Sequence, residues 1–243
     1  MATDQRTLRI AEHRLYWVIA ILFPLIVLAG FGRTYYLKFA FGTPPLPGTL
    51  VHLHGILMTA WVALFITQVY LISAKRIKTH MSLGMLGIAL AVVIIPVGFL
   101  TGAAAAKYGS TSAPPGVSPL SFFIVPVVDM VYFALIFGLA IYYRKRAADH
   151  KRLMLLTVIS FLPPAVARIP IPQMQALGPL FFFGVPTLAA IILLIYDTRK
   201  HGRLNKLFAA GAALLIVSYP LRLAVSSTAP WMDFAAWVTT WAA

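Results

Sequence analysis

Three ionised side chains, Asp129, Arg168 and Arg222, stand inside stretches that are otherwise apolar. A charge held in hydrocarbon costs roughly 2.5 kcal/mol or more, so such residues face a partner, a water-filled space or a ligand and are the first candidates for chemistry. Counted from the ends of their stretches, Asp129 lies about ten residues, or ~15 Å, below the outer surface, and the two arginines lie only a few residues in. His52 and His54 open another stretch at the same level, which raises a single outer site of five residues. Two arginines and one aspartate leave positive charge for an anionic or polar ligand such as a haem propionate, a quinone oxygen or a lipid head group. The alternative is a lock, in which Asp129 pairs with one arginine while the other extends its stem to the surface.

His52-Leu53-His54 has the look of a metal pair, but residues two apart on a helix point about 200° away from each other. Only an extended or first-turn conformation lets both reach one ion, and with Asp129 they form a two-histidine, one-carboxylate set suited to non-haem iron. A hydrogen-bonded histidine facing the bundle, with the other at the interface, is the plainer alternative. On the opposite side, His80 and His150 head two further stretches at one depth, the minimum for bis-histidine ligation of a haem. The sequence around them, Lys78-Thr79-His80-Met81 and Asp149-His150-Lys151-Arg152, also fits two interfacial caps.

These residues are carried by seven apolar stretches, near 15–31, 49–72, 82–101, 119–143, 152–170, 177–196 and 207–227. At 1.5 Å per residue, roughly 20 residues cross the ~30 Å hydrocarbon core. The chain is 60% hydrophobic and only 11% charged, with a mean hydropathy of +0.87. Soluble domains approach a quarter charged. The expected fold is therefore an all-α polytopic membrane bundle of seven helices over residues 1–228. A segment at 229–243, with Trp231, Trp237 and Trp241, is too short to cross and is expected as an external interfacial helix. The polar start of the chain, ahead of a long apolar stretch, carries no sign of a removable signal peptide.

Charge sets orientation. Of 20 Lys and Arg, 15 fall at the amino terminus and in alternate connections, leaving Arg33, Lys38, Lys107, Arg168 and Arg222 for the other side. Basic residues are retained in the cytoplasm, so the amino terminus is expected inside and the carboxyl terminus outside. A pI near 10.4 does not mean nucleic acid when the cations are split among short juxtamembrane segments. They attract anionic lipid instead. With no cysteine, disulfides, thiolate ligands, iron–sulfur clusters and thiol nucleophiles are excluded. Two external connections, around Gly42–Gly48 and Ser112–Gly116, are rich in Pro and Gly and read as connectors or lids.

His54, Gln68, a basic turn and His80 with Leu83-Gly84-Met85-Leu86-Gly87, followed later by His150-Lys151-Arg152-Leu153-Met154, together resemble motifs of bacterial predicted membrane protein families of unknown function. Those families have a histidine-headed helix, a Q…R…H…LG segment and an HRxxM segment. A similar segment occurs in small membrane proteins that assist assembly of haem-copper oxidases. The resemblance covers residues 50–90 and 148–168 and implies a bacterial inner membrane protein near haem or respiratory complexes. Two function classes follow. One is a cofactor-binding protein of an electron-transport system, holding haem b or quinone through His54, Asp129, Arg168 and Arg222 outside and His80 and His150 inside. The other is a non-catalytic accessory subunit or assembly factor that meets the lipid bilayer and a larger membrane complex.

Overall fold

A computed structural model describes residues 2–109 and 116–241, with side chains from Glu12 onward. Among the described residues every regular element is helical. They are α1 (Ala2–Phe31, continued by a wide turn at Gly32–Tyr36), α2 (Thr49–Ser73), α3 (Ile77–Tyr108), α4 (Pro119–Phe122), α5 (Ile124–Tyr142) and α6 (Ala147–Ser160). There follow α7 (Leu162–Val166), α8 (Pro172–Gln175), α9 (Pro179–Phe182), α10 (Gly184–His201), α11 (Lys206–Val225) and α12 (Ala229–Thr239). Six of the helical stretches are long and apolar enough to cross a membrane: Glu12–Tyr36, Thr49–Ser73, Ile77–Tyr108, Pro119–Tyr142, Pro179–His201 and Lys206–Val225.

The fifth expected stretch is present as two pieces. α6 has 14 residues and α7 has 5, neither long enough alone. The break at Phe161 has a local cause: Pro163 and Pro164 supply no N–H to the carbonyls of Ile159 and Ser160. Thr157 and Ser160 turn their hydroxyls back onto Met154 O and Thr157 O at 2.6 and 2.9 Å, a habit that also bends helices. The two pieces are nonetheless the most enclosed part of the chain, since Leu155 through Pro163 are all buried.

α3 outruns its expected end at 101 and reaches Tyr108. The run Ala103–Ala106 explains it, alanine being the strongest helix former. The Pro- and Gly-rich connection is shorter than expected for that reason, and its residues 110–115 lie outside the described ones.

Two compact units divide the chain, Met1–Ile94 and Ile95–Ala243. In the first, α2 and the start of α3 form a hairpin through a turn in which Lys75 takes φ 58°. Gln68 Nε2 donates to His80 O at 3.3 Å, and at Gly87 an added Cβ would meet Leu64 at 3.0 Å. The Q…R…H…LG segment is thus a hairpin clasp, its glycines allowing two backbones to approach. Tyr36 and Thr59 share a hydrogen bond of 2.9 Å, tying the turn after α1 to α2.

In the second unit, α5, α6 and α11 pack through small residues. A Cβ on Gly211 would overlap Leu156, and Ala140 and Ala212 are fully enclosed. α10 runs antiparallel to the α6–α7 pair: Arg152, in the second turn of α6, bonds Asp197 near the end of α10, while α7 packs against α9 and α10. The hairpin from α10 to α11 turns at Gly202 (φ 64°) and starts α11 with Asn205, whose Oδ1 accepts from Phe208 N at 2.9 Å. α12 lies on the end of α3 and on α4, where Ala235 and Val238 join Ala103, Ala106 and Phe123. Trp231 turns inward and donates to Leu120 O at 3.0 Å, while Trp237 and Trp241 are exposed. One tryptophan anchors the helix, and two stay exposed.

Candidate functional site

Of the three charges expected in apolar stretches, two meet. Arg222 Nη1 donates to Asp129 Oδ1 at 2.6 Å, and the side chains are only 1% and 6% exposed. The same guanidinium reaches Ser218 Oγ at 3.2 Å and Val125 O at 3.4 Å, the latter on α5 one turn before Asp129. Its carbon lies 5.2 Å from the ring centre of Tyr219 and 5.8 Å from that of Phe183, two rings stacked on each other at 4.4 Å. Arg222 is therefore held between a carboxylate and aromatic faces, which surround its guanidinium in place of water. Two buried polar atoms in this cluster make no hydrogen bond, Arg222 Nε and Tyr219 Oη. Nearby on the same helices, Tyr132 Oη donates to Gly211 O at 3.0 Å.

Arg168 stands apart from this pair in its bonding. It follows α7, is half-buried and donates Nη1 to Pro164 O at 2.7 Å. That carbonyl lies at the end of α7, where the chain turns away and no helical N–H continues the ladder. His52 and His54 both lie in the second turn of α2 and are helical, so their rings diverge as the spacing requires. His52 is exposed and lies 6.2 Å from the Tyr35 ring, and its carbonyl accepts from Tyr35 Oη at 3.4 Å; His54 is half-buried. These histidines belong to the first unit, and Asp129, Arg168 and Arg222 to the second. Among the described residues no group of three His, Asp or Glu side chains is placed to hold a metal ion.

The inner histidines are likewise divided, His80 in the first unit and His150 in the second. His150 Nδ1 donates to Ala140 O at 2.8 Å, closing the end of α5 onto the first turn of α6. Asp149 Oδ1 accepts from Asn205 Nδ2 at 2.7 Å. Next to them stands a cluster that sequence reasoning did not single out. Arg152, 5% exposed, grips Asp197 with a two-pronged contact, Nε to Oδ2 at 2.8 Å and Nη2 to Oδ1 at 2.8 Å. Its Nη1 donates to Ala148 O at 2.6 Å. His201 Nδ1 lies 2.8 Å from Asp197 O and 3.3 Å from its carboxylate. A parallel fork of this kind fixes the orientation of both groups as well as their distance.

A signal for this second pair was present. The chain has 6 acidic residues against 20 basic ones. An aspartate such as Asp197, in the run Tyr196-Asp197-Thr198-Arg199-Lys200-His201, is scarce enough to be a counter-charge, and Arg152 opens the stretch that the charge pattern places at the same depth.

What these elements define is a class: an all-helical, multi-pass membrane protein whose buried charges tie helices to one another at both ends of one bundle. No family model, curated protein or solved structure matches the chain.

Proposed function

We propose that the chain is a non-catalytic accessory subunit or assembly factor of a respiratory or photosynthetic complex in the bacterial inner membrane. One observation carries this reading. The closest buried charge pairs, Asp129 with Arg222 and Asp197 with Arg152, spend their charges on contacts between helices of the same unit. A catalyst or carrier aims such charge at a substrate, whereas a scaffold uses it to fix helix rotation and register. The antiparallel course of α6–α7 along α10 supports a seventh crossing, for 20 residues rise about 30 Å. Seven crossings with the basic connections inside put the amino terminus in the cytoplasm and the carboxyl terminus, with α12, outside.

The test is the oxidised and dithionite-reduced absorption spectrum of the detergent-purified protein with metal analysis, followed by mild-detergent isolation from the native membrane. A colourless, metal-free protein that migrates stoichiometrically within a larger complex supports the reading. A haem band of one per chain overturns it.

A second reading, binding of haem b or quinone, is favoured by the buried Tyr219 Oη and Arg222 Nε, two donors next to each other without an acceptor. A quinone carbonyl fits that chemistry. In this reading Tyr219 and Arg222 hold the ligand within the second unit. Solvent extraction of the purified protein separates the readings, since one quinone per chain, lost in Tyr219→Phe, belongs only to the second.

A further inference from the structure

On the last turns of α10, Ile192, Ile195, Tyr196, Arg199 and Lys200 line an open hollow of about 500 Å³. Their spacing repeats at three and four residues, so they form one continuous stripe along the helix. The stripe changes character along its length. Ile192 and Ile195 are 62% and 46% exposed, a surface suited to hydrocarbon, and one turn further on stand two cations. Lys200 folds its ammonium to 5.4 Å from the Tyr196 ring, where the nitrogen is enclosed and makes no hydrogen bond. The nearest acidic residue in sequence, Asp197, is already held by Arg152 and His201 and offers these cations no counter-charge. Arg203 and Lys206 follow at the same end of the bundle.

We propose that this hollow binds one anionic phospholipid, with its phosphate between Arg199 and Lys200 and an acyl chain along Ile195 and Ile192. The chemistry matches at both ends: a fixed anion for two cations, one of them desolvated and lacking an acceptor, and apolar carbon for exposed isoleucines. The depth matches too, because the head-group level is where a basic helix end meets the anionic leaflet. The occupant differs from the diffuse lipid attracted by any basic loop in that it is single, seated and dependent on these side chains.

The experiment titrates the full-length protein in detergent with dioleoyl phosphatidylglycerol or dioleoyl phosphatidylcholine and counts bound lipids by native mass spectrometry. One phosphatidylglycerol is expected to bind in preference to phosphatidylcholine. Each cation near an anionic group changes affinity about fivefold, so Arg199→Gln with Lys200→Gln should weaken that first lipid about 30-fold. Arg144→Gln with Arg146→Gln, an equal loss of charge elsewhere on the basic side, should change it less than about threefold. Ile192→Asn, at an exposed position where folding is not at stake, keeps both cations and should weaken the lipid about fivefold through lost apolar contact. Equal weakening by the two double variants, equal binding of the two lipids, or displacement by inorganic phosphate at concentrations matching the lipid would each overturn the proposal.

Discussion

Replacing Asp129 by alanine removes one oxygen partner of Arg222 at 2.6 Å and leaves a guanidinium that is 1% exposed. What remains to it is the Ser218 hydroxyl at 3.2 Å, the Val125 carbonyl at 3.4 Å and two aromatic faces, all uncharged. Breaking one side of a buried ion pair costs about 3–5 kcal/mol, chiefly the uncompensated charge. That is two to nearly four powers of ten in the folded-to-unfolded ratio. The pair itself contributes much less, because both ions were desolvated to form it, so Asp129→Leu combined with Arg222→Met should return to within about 1 kcal/mol of the parent. The assay is reversible unfolding in mixed micelles as sodium dodecyl sulfate is raised, read by fluorescence of the 5 tryptophans. A loss below about 1 kcal/mol in Asp129→Ala, or a double variant as unstable as the summed single ones, would refute the lock.

Three further outcomes follow from the same packing. Gly211→Ala pushes a methyl into Leu156 and against Ile136, and the same unfolding assay should register a loss of about 1–3 kcal/mol. Tyr219→Phe removes a buried hydroxyl that makes no hydrogen bond, so stability should hold or rise by about 1 kcal/mol; a clear loss would show that the hydroxyl is bonded in the membrane. Reporter fusions after Trp241 and within the Lys75-Arg76 turn should report opposite sides of the membrane, and the same side for both would remove the crossing assigned to α6–α7.

The spans were largely legible in the sequence because a membrane crossing is a property of local composition. Five of the six long stretches begin and end within a few residues of where apolar runs meet polar ones; α3 departs because alanine extends it past the run. The two breaks that matter also had local signs, Pro163-Pro164 at Phe161 and Gly202 before Asn205. The clasp from Gln68 to the His80 carbonyl had its motif on view, but the motif's meaning lay in a backbone acceptor that no residue type displays.

The site was legible only as a set of suspects. Asp129 with two arginines was visible as an excess of cations, and Asp197 with Arg152 was there to be seen in the scarcity of acids. Composition and spacing, acting through the cost of polar groups in hydrocarbon and the retention of cations inside, determined the membrane class, the helix count to within one and the residues that must find partners. Tertiary structure alone decided that Asp129 takes Arg222, 93 residues away, rather than Arg168, which donates to the Pro164 carbonyl of the helix before it. The physical reason is rotational: a helix apolar all round carries no amphipathic stripe to say which side faces its neighbours, so the facing side is set by close contacts such as Gly211 against Leu156 and appears only once the helices have packed.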